Sequence, residues 1–496
     1  MKTKLSICAL LAFFIPLLAR CIPELLMGPY LVGFDTVAHY VPTTLSWLGG
    51  DLTMERFIAT APMLYLVTSA LTAASGSVFV TLKLLAPVLL GCLGLSIYWF
   101  ARSGLGWSQP KSLIPALVAT LYFVGLRISW DASREVFALI FLFLSLALMA
   151  QLEKKFSWSS ALLFCLALSG VILSNQVVAV LGFGVVLFTL IYKLVRSSKN
   201  FVAKLFVSCL PAGALFLATY FLSPAVSDYR LIFGFPADPD GWLSLFGYAS
   251  YPEMLASEAV FVLYCFGFLL PFAALAFRRM RNLQMRLWVV LLVAAAFVPM
   301  VSPSSMRLLM LLVYPLAFYA AEALTALSNV RWIRFRRQLY SAGLICLVAV
   351  TAVPSLGFMA APAESPFPYF AAGFNTHIYQ IPSSMLQNTV ALSDCPAVQD
   401  AVGWLKLNMA EESVLLSHRA FYGWALPVLG SEQIVMYEYD DPGEAALDVA
   451  QNGYSEVYLV WWVEGAGWYG LPSVPAVFEE VYSAGRMAVY CYTTNE

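Results

Sequence analysis

Long apolar stretches follow one another along the first three quarters of the chain, separated by short polar segments. About twenty apolar residues in helical conformation cover the hydrocarbon core of a bilayer. The pattern therefore predicts about eleven transmembrane helices. Their approximate positions are 5–23, 80–101, 112–127, 136–151, 158–174, 177–193, 204–222, 257–277, 287–302, 307–325 and 338–358.

The pattern changes after about residue 390, where apolar runs become short and acidic residues become frequent. Helical patterns at 398–409 and 444–452 alternate with strand-like runs at 414–417, 434–437, 457–461 and 487–492. Such alternation is typical of a small α/β domain. We therefore predict a transmembrane unit over 1–358, a linker over 359–389 and an α/β domain over 390–496.

The first loop between predicted spans, 24–79, is long and contains two further helical patterns. Tyr40–Leu48 suits a short amphipathic helix in the membrane interface. The apolar run Thr60–Ala74 ends before Gly76 and is short for a span. Counting it as a span would also reverse the sidedness of the later loops. We therefore predict a second helix lying at, or dipping into, the membrane surface.

Composition and charge agree with a membrane protein and fix its expected orientation. The chain is 61% hydrophobic and 11% charged, too little charge for the surface of a soluble protein of this size. Lys and Arg cluster in alternate loops, for example at 193–204 and 278–286. The positive-inside rule places these clusters and the N-terminus in the cytoplasm of a multi-pass plasma-membrane protein. An odd number of spans then puts the C-terminal domain outside, and the chain shows no basic surface for nucleic acid.

Several polar side chains stand at the external ends of the predicted spans. Charged groups are costly inside the bilayer, so such residues gather where water or a headgroup reaches them. They can build a polar cavity, or they can simply mark where helices leave the membrane. For Asp35 the alternative is a helix cap, and for Glu135 a first-turn carboxylate or an ion pair with Arg134. The residues are Asp35, His39, Asp131, Arg134, Glu135, Asn175, Gln176 and Arg307.

The order of short motifs resembles the C-class (GT-C) membrane glycosyltransferases, the broad group with protein mannosyltransferases, aminoarabinose transferases and oligosaccharyltransferases. Gly33-Phe34-Asp35 lies in the first external loop, and Pro62 and Tyr65 stand in the interfacial helix. Ser133-Arg134-Glu135 opens the fourth span, and Arg307 opens a late span. The resemblance covers about residues 1–358, and segment 402–417 is similar to the external domain of many members.

The resemblance implies a sugar donor carried on a polyprenyl phosphate and an extracytoplasmic glycan, lipid or protein as acceptor. Arg307, and next Arg134, would bind the donor phosphate, because guanidinium binds phosphate bidentately. Asp35 would act as the general base in an inverting displacement, with Glu135 as a second catalytic carboxylate. Further site candidates are His39, Asn175, Gln176 and Tyr65.

Two departures from the family pattern narrow this expectation. Asp35 has no adjacent Glu, although protein mannosyltransferases carry an acidic pair there. The Trp-Trp-Asp signature of oligosaccharyltransferases is absent, and Trp461-Trp462-Val463-Glu464 is only similar to it, so asparagine glycosylation is disfavoured. No cofactor is certain, but Mg²⁺ or Mn²⁺ could bind Asp35 with Glu135 or Asp131.

Two alternative functions and one possible disulfide stay open at this stage. A transporter or lipid flippase would also be polytopic, but such proteins place charges near the bilayer midplane within inverted repeats. A non-catalytic membrane scaffold would tolerate replacement of Asp35 and Arg307. Cys395 and Cys491 both fall in the external domain and could form a disulfide.

Overall fold

Helices long and apolar enough to cross a membrane make up most of the N-terminal part. The computed structural model of the chain describes residues 6–50, 53, 57, 61–196, 199–222, 248–297, 305–328, 336–362, 381–437, 441–464 and 473–493. Within these ranges, seven helices are long and apolar enough to cross a membrane, or nine if two bent pairs of helices each count as one span. The chain is thus a polytopic helical membrane protein, as predicted.

The helices of this part are α1 (Ile7–Leu26), α2 (Val41–Leu48), α3 (Met63–Ser75), α4 (Val78–Trp99), α5 (Gln109–Leu121), α6 (Phe123–Asp131), α7 (Ser133–Lys154), α8 (Trp158–Ile172), α9 (Gln176–Arg196), α10 (Lys199–Leu222), α11 (Tyr251–Phe266), α12 (Leu270–Ala276), α13 (Leu283–Ala296), α14 (Ser305–Met310), α15 (Val313–Ser328) and α16 (Arg336–Ala360). Two π-helical turns, Thr36–Tyr40 and Phe100–Gly104, precede α2 and follow α4.

Nine of the eleven predicted spans correspond to these long helices and bent pairs. The pair α5 and α6 bends by 58° at Tyr122, where the backbone is extended, and α11 and α12 bend by 87°. The remaining two predicted spans are α8 and α13, which have 15 and 14 residues and are shorter than a full crossing. The count of eleven full spans is therefore not reached within the described residues.

The first loop contains two helices at the positions where helical patterns were predicted. Helix α3 has 13 residues and matches the predicted non-spanning segment, and Gly76 ends it in the left-handed conformation. Helix α2 follows directly on the π-helical turn Thr36–Tyr40, so that the two form one bent element. Outside these elements, large apolar side chains such as Leu162, Val195 and Ile345 are exposed, as lipid contact requires.

A five-stranded mixed sheet organises the C-terminal unit, by which we mean the described residues from 392 to 493. Its strands are β1 (Ser413–His418), β2 (Ile434–Tyr437), β3 (Glu456–Trp462), β4 (Glu479–Ala484) and β5 (Met487–Thr493), in the order β2-β1-β3-β5-β4. Strand β1 pairs in parallel with both neighbours, so that Leu415 lies between Ile434 and Tyr458. Strands β3, β5 and β4 pair antiparallel.

Three helices cover the two faces of this sheet: α17 (Cys395–Asn408), α18 (Arg419–Leu429) and α19 (Pro442–Gln451). Every residue of β1 is buried, in agreement with its apolar centre at 414–416. Val414 and Leu416 pack in a small core with α19. Leu415 packs on the opposite face, in the same hydrophobic core as the first loop and the membrane helices. The C-terminal unit is therefore docked on the helical part.

The expected disulfide is not formed. Cys395 and Cys491 are both buried free thiols. Cys395 contacts Asn388 Nδ2 at 3.7 Å and the Ala391 carbonyl oxygen at 3.5 Å. Burial raises the pKa of Cys395 to about 12 and also raises that of Cys491. Both residues thus act as small packing groups inside the C-terminal unit.

Candidate active site

Asp35 lies where the first loop turns into its π-helix, at the end of the bundle on which the C-terminal unit docks. It directly precedes Thr36–Tyr40, but its side chain makes no capping hydrogen bond to that element. The carboxylate is therefore available for other partners. Single π-helical turns occur often at functional sites, because the extra residue redirects side chains.

The two carboxylate oxygens of Asp35 face two different side chains. Oδ2 lies 3.3 Å from Nη2 of Arg307, on α14, and accepts a hydrogen bond from it. Oδ1 lies 3.9 Å from Nε2 of His39, one turn further along the chain. The side chains of Arg307 and His39 are 41% and 43% exposed, whereas Asp35 is 18% exposed. The pair Asp35–Arg307 thus opens toward solvent on the arginine side.

A second carboxylate, Asp131, stands at the end of α6 and forms an ion pair with Arg127. Arg127, one turn earlier on the same helix, donates to Asp131 Oδ1. Tyr40 donates its hydroxyl to the Asp131 carbonyl oxygen at 2.7 Å. The break at Ala132 between α6 and α7 then turns the chain, so that Arg134 and Glu135 open the next helix at the same level. Glu135 occupies the first turn of α7, the position that the helix dipole favours.

Electrostatic interactions join these groups into one cluster. The Arg307 guanidinium interacts with Glu135, Asp131, Asp35 and Tyr40. Arg134 is linked in the same way to Tyr65, Tyr40, Glu135 and Asp35. The structure therefore brings together six of the charged or histidine candidates and also Tyr65, which are drawn from the first loop, α3, α6, α7 and α14.

Two buried tyrosines form the apolar side of the cluster. Tyr40 and Tyr65 pack edge to face, with their ring centroids 6.2 Å apart. Burial raises the pKa of Tyr40 well above its usual value near 10, and the carboxylates of Asp35 and Glu135 raise it further. Burial also raises the pKa of Tyr65, against the opposing charge of Arg134. Both hydroxyls stay protonated at neutral pH and can act as hydrogen-bond donors.

A short segment before the C-terminal unit fixes the loop that carries Asp35. The Gly33 amide donates to the Gln387 carbonyl at 3.1 Å, and Asn388 Nδ2 donates to the Leu31 carbonyl at 2.9 Å. Trp130 Nε1 donates to the same Gln387 carbonyl at 3.2 Å. Gly33 has a φ of +100°, and a Cβ there would lie 2.0 Å from the Trp130 carbonyl oxygen. Only glycine fits this position, two residues before Asp35.

Helix α18 of the C-terminal unit forms the other side of the site. Arg419, its first residue, hydrogen-bonds to His39 Nε2 and lies over the Phe34 ring, with its guanidinium carbon 5.9 Å from the ring centroid. Gly423, one turn later, contacts the π-helix so closely that a Cβ would lie 1.9 Å from the Val37 carbonyl oxygen. The C-terminal unit therefore reaches the immediate neighbourhood of Asp35.

Asn175 and Gln176 are not shown in contact with this cluster. The Asn175 side chain accepts a hydrogen bond from the Val178 amide at 3.0 Å and so caps the start of α9. The buried Gln176 Nε2 makes no hydrogen bond within the described part of the chain. For Asn175 a structural role at a helix start accounts for its position.

A small recess of about 10 Å³, room for about one water molecule, lies beside the cluster. Apolar side chains line most of it, and Glu24 faces it as well; the apolar residues are Leu31, Val32, Leu64, Leu82, Leu85 and Ala86. Thr36 and Ser133 also line it, and these are the neighbours of Asp35 and Arg134 in sequence. The recess therefore lies between apolar helix surfaces and the polar cluster.

The carboxylates of the cluster are matched by arginines. Asp35 pairs with Arg307, and Asp131 pairs with Arg127. Among the described residues, no three His, Cys, Asp or Glu side chains come close enough to hold a metal ion. The mechanism proposed below uses the arginines and runs no step through a metal. Mg²⁺ or Mn²⁺ binding stays a prediction from the sequence.

Three features of the site were missed from the sequence, and two of them had a weak signal there. Arg127 stands four residues before Asp131, a spacing that favours a helical ion pair. Arg419 directly follows a buried strand, and the ends of parallel strands are common positions for functional side chains. The Gln387 backbone carbonyl had no signal, because a backbone acceptor leaves no trace in side-chain chemistry.

Solved structures with the same arrangement of helices come from three kinds of membrane glycosyltransferase. ArnT from Cupriavidus metallidurans in the apo state aligns with a TM-score of 0.56 at 12% identity, over 97% of each chain. The same enzyme bound to undecaprenyl phosphate aligns with a TM-score of 0.50 at 13% identity, over 97% of this chain and 96% of ArnT.

Two further matches differ more in length. The arabinofuranosyltransferase AftD from Mycobacteria aligns with a TM-score of 0.51 at 15% identity, over 98% of this chain but 40% of AftD. The oligosaccharyltransferase from Archaeoglobus fulgidus aligns with a TM-score of 0.50 at 12% identity, over 93% of this chain and 70% of that enzyme. No protein-family model and no curated protein sequence matches the chain. The chain therefore has the GT-C fold of polytopic membrane glycosyltransferases.

Proposed function

We propose that this protein transfers a sugar from a polyprenyl-phosphate donor to a hydroxyl group of an acceptor outside the cytoplasm. The observation that carries the proposal is the Asp35–Arg307 pair, in which a carboxylate and a guanidinium lie 3.3 Å apart at the end of the helical bundle. An inverting glycosyl transfer needs a base for the acceptor proton and a cation for the leaving phosphate. This pair supplies both groups.

The donor would be bound through its phosphate. Arg307, with a half-exposed guanidinium, would receive the phosphate, and Arg134 lies in the same electrostatic cluster. The solved structure of ArnT bound to undecaprenyl phosphate supports this class of lipid. A phosphate would compete with Asp35 for Arg307 and leave the carboxylate available as a base.

The transfer itself is a single displacement. Asp35 takes the proton of the acceptor hydroxyl while that oxygen forms a bond to the anomeric carbon. The bond from this carbon to the phosphate oxygen breaks, and its electron pair stays on the phosphate. Arg307 stabilises the charge that develops there. Glu135, which interacts with Arg307, would orient that arginine.

The test is turnover of purified protein in liposomes against a panel of polyprenyl-phosphate sugars, comparing wild type with Asp35→Asn. Loss of a general base reduces the rate by roughly 10²- to 10⁴-fold. The matched control is Asp448→Asn on the outer surface of α19, which removes the same charge far from the cluster. Equal turnover by wild type and Asp35→Asn would contradict the assignment of Asp35 as the base. It would favour a scaffold, in which Asp35 can be replaced freely.

A further inference from the structure

We infer that Arg419 is a positioning residue of the reaction: it holds His39, and through His39 the orientation of Asp35. The inference rests on the function proposed above. The observation behind it is a chain of contacts from the C-terminal unit to the membrane helices. Arg419 hydrogen-bonds to His39, His39 faces Asp35, and Asp35 pairs with Arg307.

The chemistry of arginine decides how this contact works. A guanidinium has only donors and stays protonated at any physiological pH. Its partner atom, His39 Nε2, must therefore accept the hydrogen bond with its lone pair. A histidine that accepts at Nε2 carries its proton on Nδ1, so this contact sets the tautomer as well as the ring orientation.

Setting the tautomer has a consequence for Asp35. Its Oδ1 lies 3.9 Å from the same His39 Nε2, beyond hydrogen-bond distance. Because Nε2 accepts from Arg419, it has no proton to give to this oxygen. Oδ1 is thus kept ready for the proton of the acceptor hydroxyl, while Oδ2 faces Arg307. A histidine with the proton on Nε2 would instead turn toward Asp35 and occupy the base.

Three local contacts restrain the backbone around Arg419. His418 lies buried at the end of β1, between the rings of Tyr437 and Trp461. Its Nδ1 accepts a hydrogen bond from the Ala420 amide at 3.2 Å and caps α18. Gly423 then lets the helix rest directly on the Val37 backbone. Arg419 is therefore aimed at His39 by a strand end, a cap and a close backbone contact.

The kinetic experiment measures donor turnover in Arg419→Ala, His39→Phe and His39→Gln. We expect kcat to fall roughly tenfold to a hundredfold in Arg419→Ala and His39→Phe with little change in the KM for donor, since a small misplacement of reacting groups has this size of effect. Gln offers an acceptor oxygen to Arg419, so His39→Gln should keep most of the activity. Lys406→Ala, which removes an exposed cation from the same unit, is the control.

A double variant separates positioning from direct catalysis by His39. If Arg419 acts through His39, Arg419→Ala combined with His39→Phe should be no slower than the slower single variant. Additive losses, or a His39→Gln variant as slow as His39→Phe, would overturn the inference. Arg419→Lys, which keeps a donor, should recover part of the rate.

A spectroscopic experiment needs no substrate and is independent of the proposed function. The chain has only three histidines, so ¹⁵N-histidine labelling in lipid bilayers gives few resonances, and His39→Gln assigns those of His39. We expect His39 in wild type to carry its proton on Nδ1, and to lose this signature in Arg419→Ala. Unchanged His39 resonances in that variant would refute the positioning role, whereas an inactive wild type would refute only the glycosyl transfer.

Discussion

Asp35 combines two demands that conflict in the resting protein. As a base it needs a free oxygen, yet Arg307 holds one of its oxygens at 3.3 Å. That contact leaves Oδ1 as the oxygen open to an acceptor proton. A donor phosphate that binds Arg307 would free Oδ2 as well. The whole carboxylate would then become available when the leaving group is in place.

This view predicts the behaviour of Arg307→Lys. Lysine keeps the charge but loses the planar fork that binds phosphate bidentately. We expect the KM for donor to rise about tenfold or more, with a smaller fall in kcat, because charge-assisted hydrogen bonds contribute about 1.5–3 kcal/mol each. Steady-state kinetics with varied donor measure this. Arg278→Lys, in an exposed loop cluster, is the matched control, and an unchanged KM in Arg307→Lys would exclude phosphate binding by Arg307.

Single residues also show what sequence reasoning could not reach. Asp35 and Arg307 were placed on one face from topology, but their contact spans 272 positions in the chain. Arg20 is a buried charge in the first membrane helix. The structure pairs it with Glu24 at 2.7 Å, and Lys83 reaches Glu24 at 3.4 Å, so α1 and α4 share a buried ion cluster. The spacing of four residues is consistent with a pair between Arg20 and Glu24, but it gives no sign that Lys83 joins them.

At the scale of elements, helix α18 is the piece that joins the C-terminal sheet to the reaction site. Its closest approach to the π-helix is at Gly423, where the neighbouring atom is a backbone oxygen that no side-chain rotation can move. A larger residue would have to push the whole helix away. The position of Arg419, one turn earlier, would move with it.

We therefore predict that Gly423→Ala lowers both stability and turnover. Overpacking against a fixed backbone costs about 1–3 kcal/mol, which thermal unfolding of the detergent-solubilised protein would report as a lower Tm. Gly403→Ala in α17 is the matched control, since a Cβ there meets nothing within 4 Å. Helix propensity makes that variant neutral or slightly stabilising. A Gly423→Ala variant as stable and as active as Gly403→Ala would show that α18 does not need this contact.

Helices and strands were predictable where the hydrophobic periodicity of the sequence was clear. The four predicted strands and two predicted helices of the C-terminal unit are present within one to three residues at each end. Helix α18 was missed because Gly423 and Pro427 interrupt its apolar pattern. Strand β4 was missed because it lies at the sheet edge, where most of its side chains are exposed and alternation is weak.

At the scale of the whole molecule, the C-terminal unit and the candidate site lie at one end of the helical bundle. The charge pattern predicts that this end faces the outside of the cell. The membrane topology follows from the summed hydrophobicity of each segment, so it can be predicted from the sequence. Docking of the C-terminal unit depends on shape, as in the contact between Arg419 and His39 across 380 positions, and has no local signal.

The orientation gives a direct prediction. A cysteine placed at Leu407, which is 83% exposed in the C-terminal unit, should react with a membrane-impermeant thiol reagent in intact cells. A cysteine at Lys155, in an exposed loop at the opposite end, should react only after the membrane is opened. The reverse pattern would invert the proposed topology and place the reaction on the cytoplasmic face.

The hydrogen bonds that join residues 387 and 388 to the first loop bear on the order of biosynthesis. Leu31 and Gly33 leave the ribosome early, yet their hydrogen-bond partners Gln387 and Asn388 are made more than three hundred residues later. The loop therefore cannot complete these bonds until the last membrane helix has been made and the chain returns to it. A chain cut before residue 387 would have its membrane helices but would lack the bonds that hold the loop before Asp35. The geometry of the candidate site is thus reached only late in synthesis, and incomplete copies would not offer it.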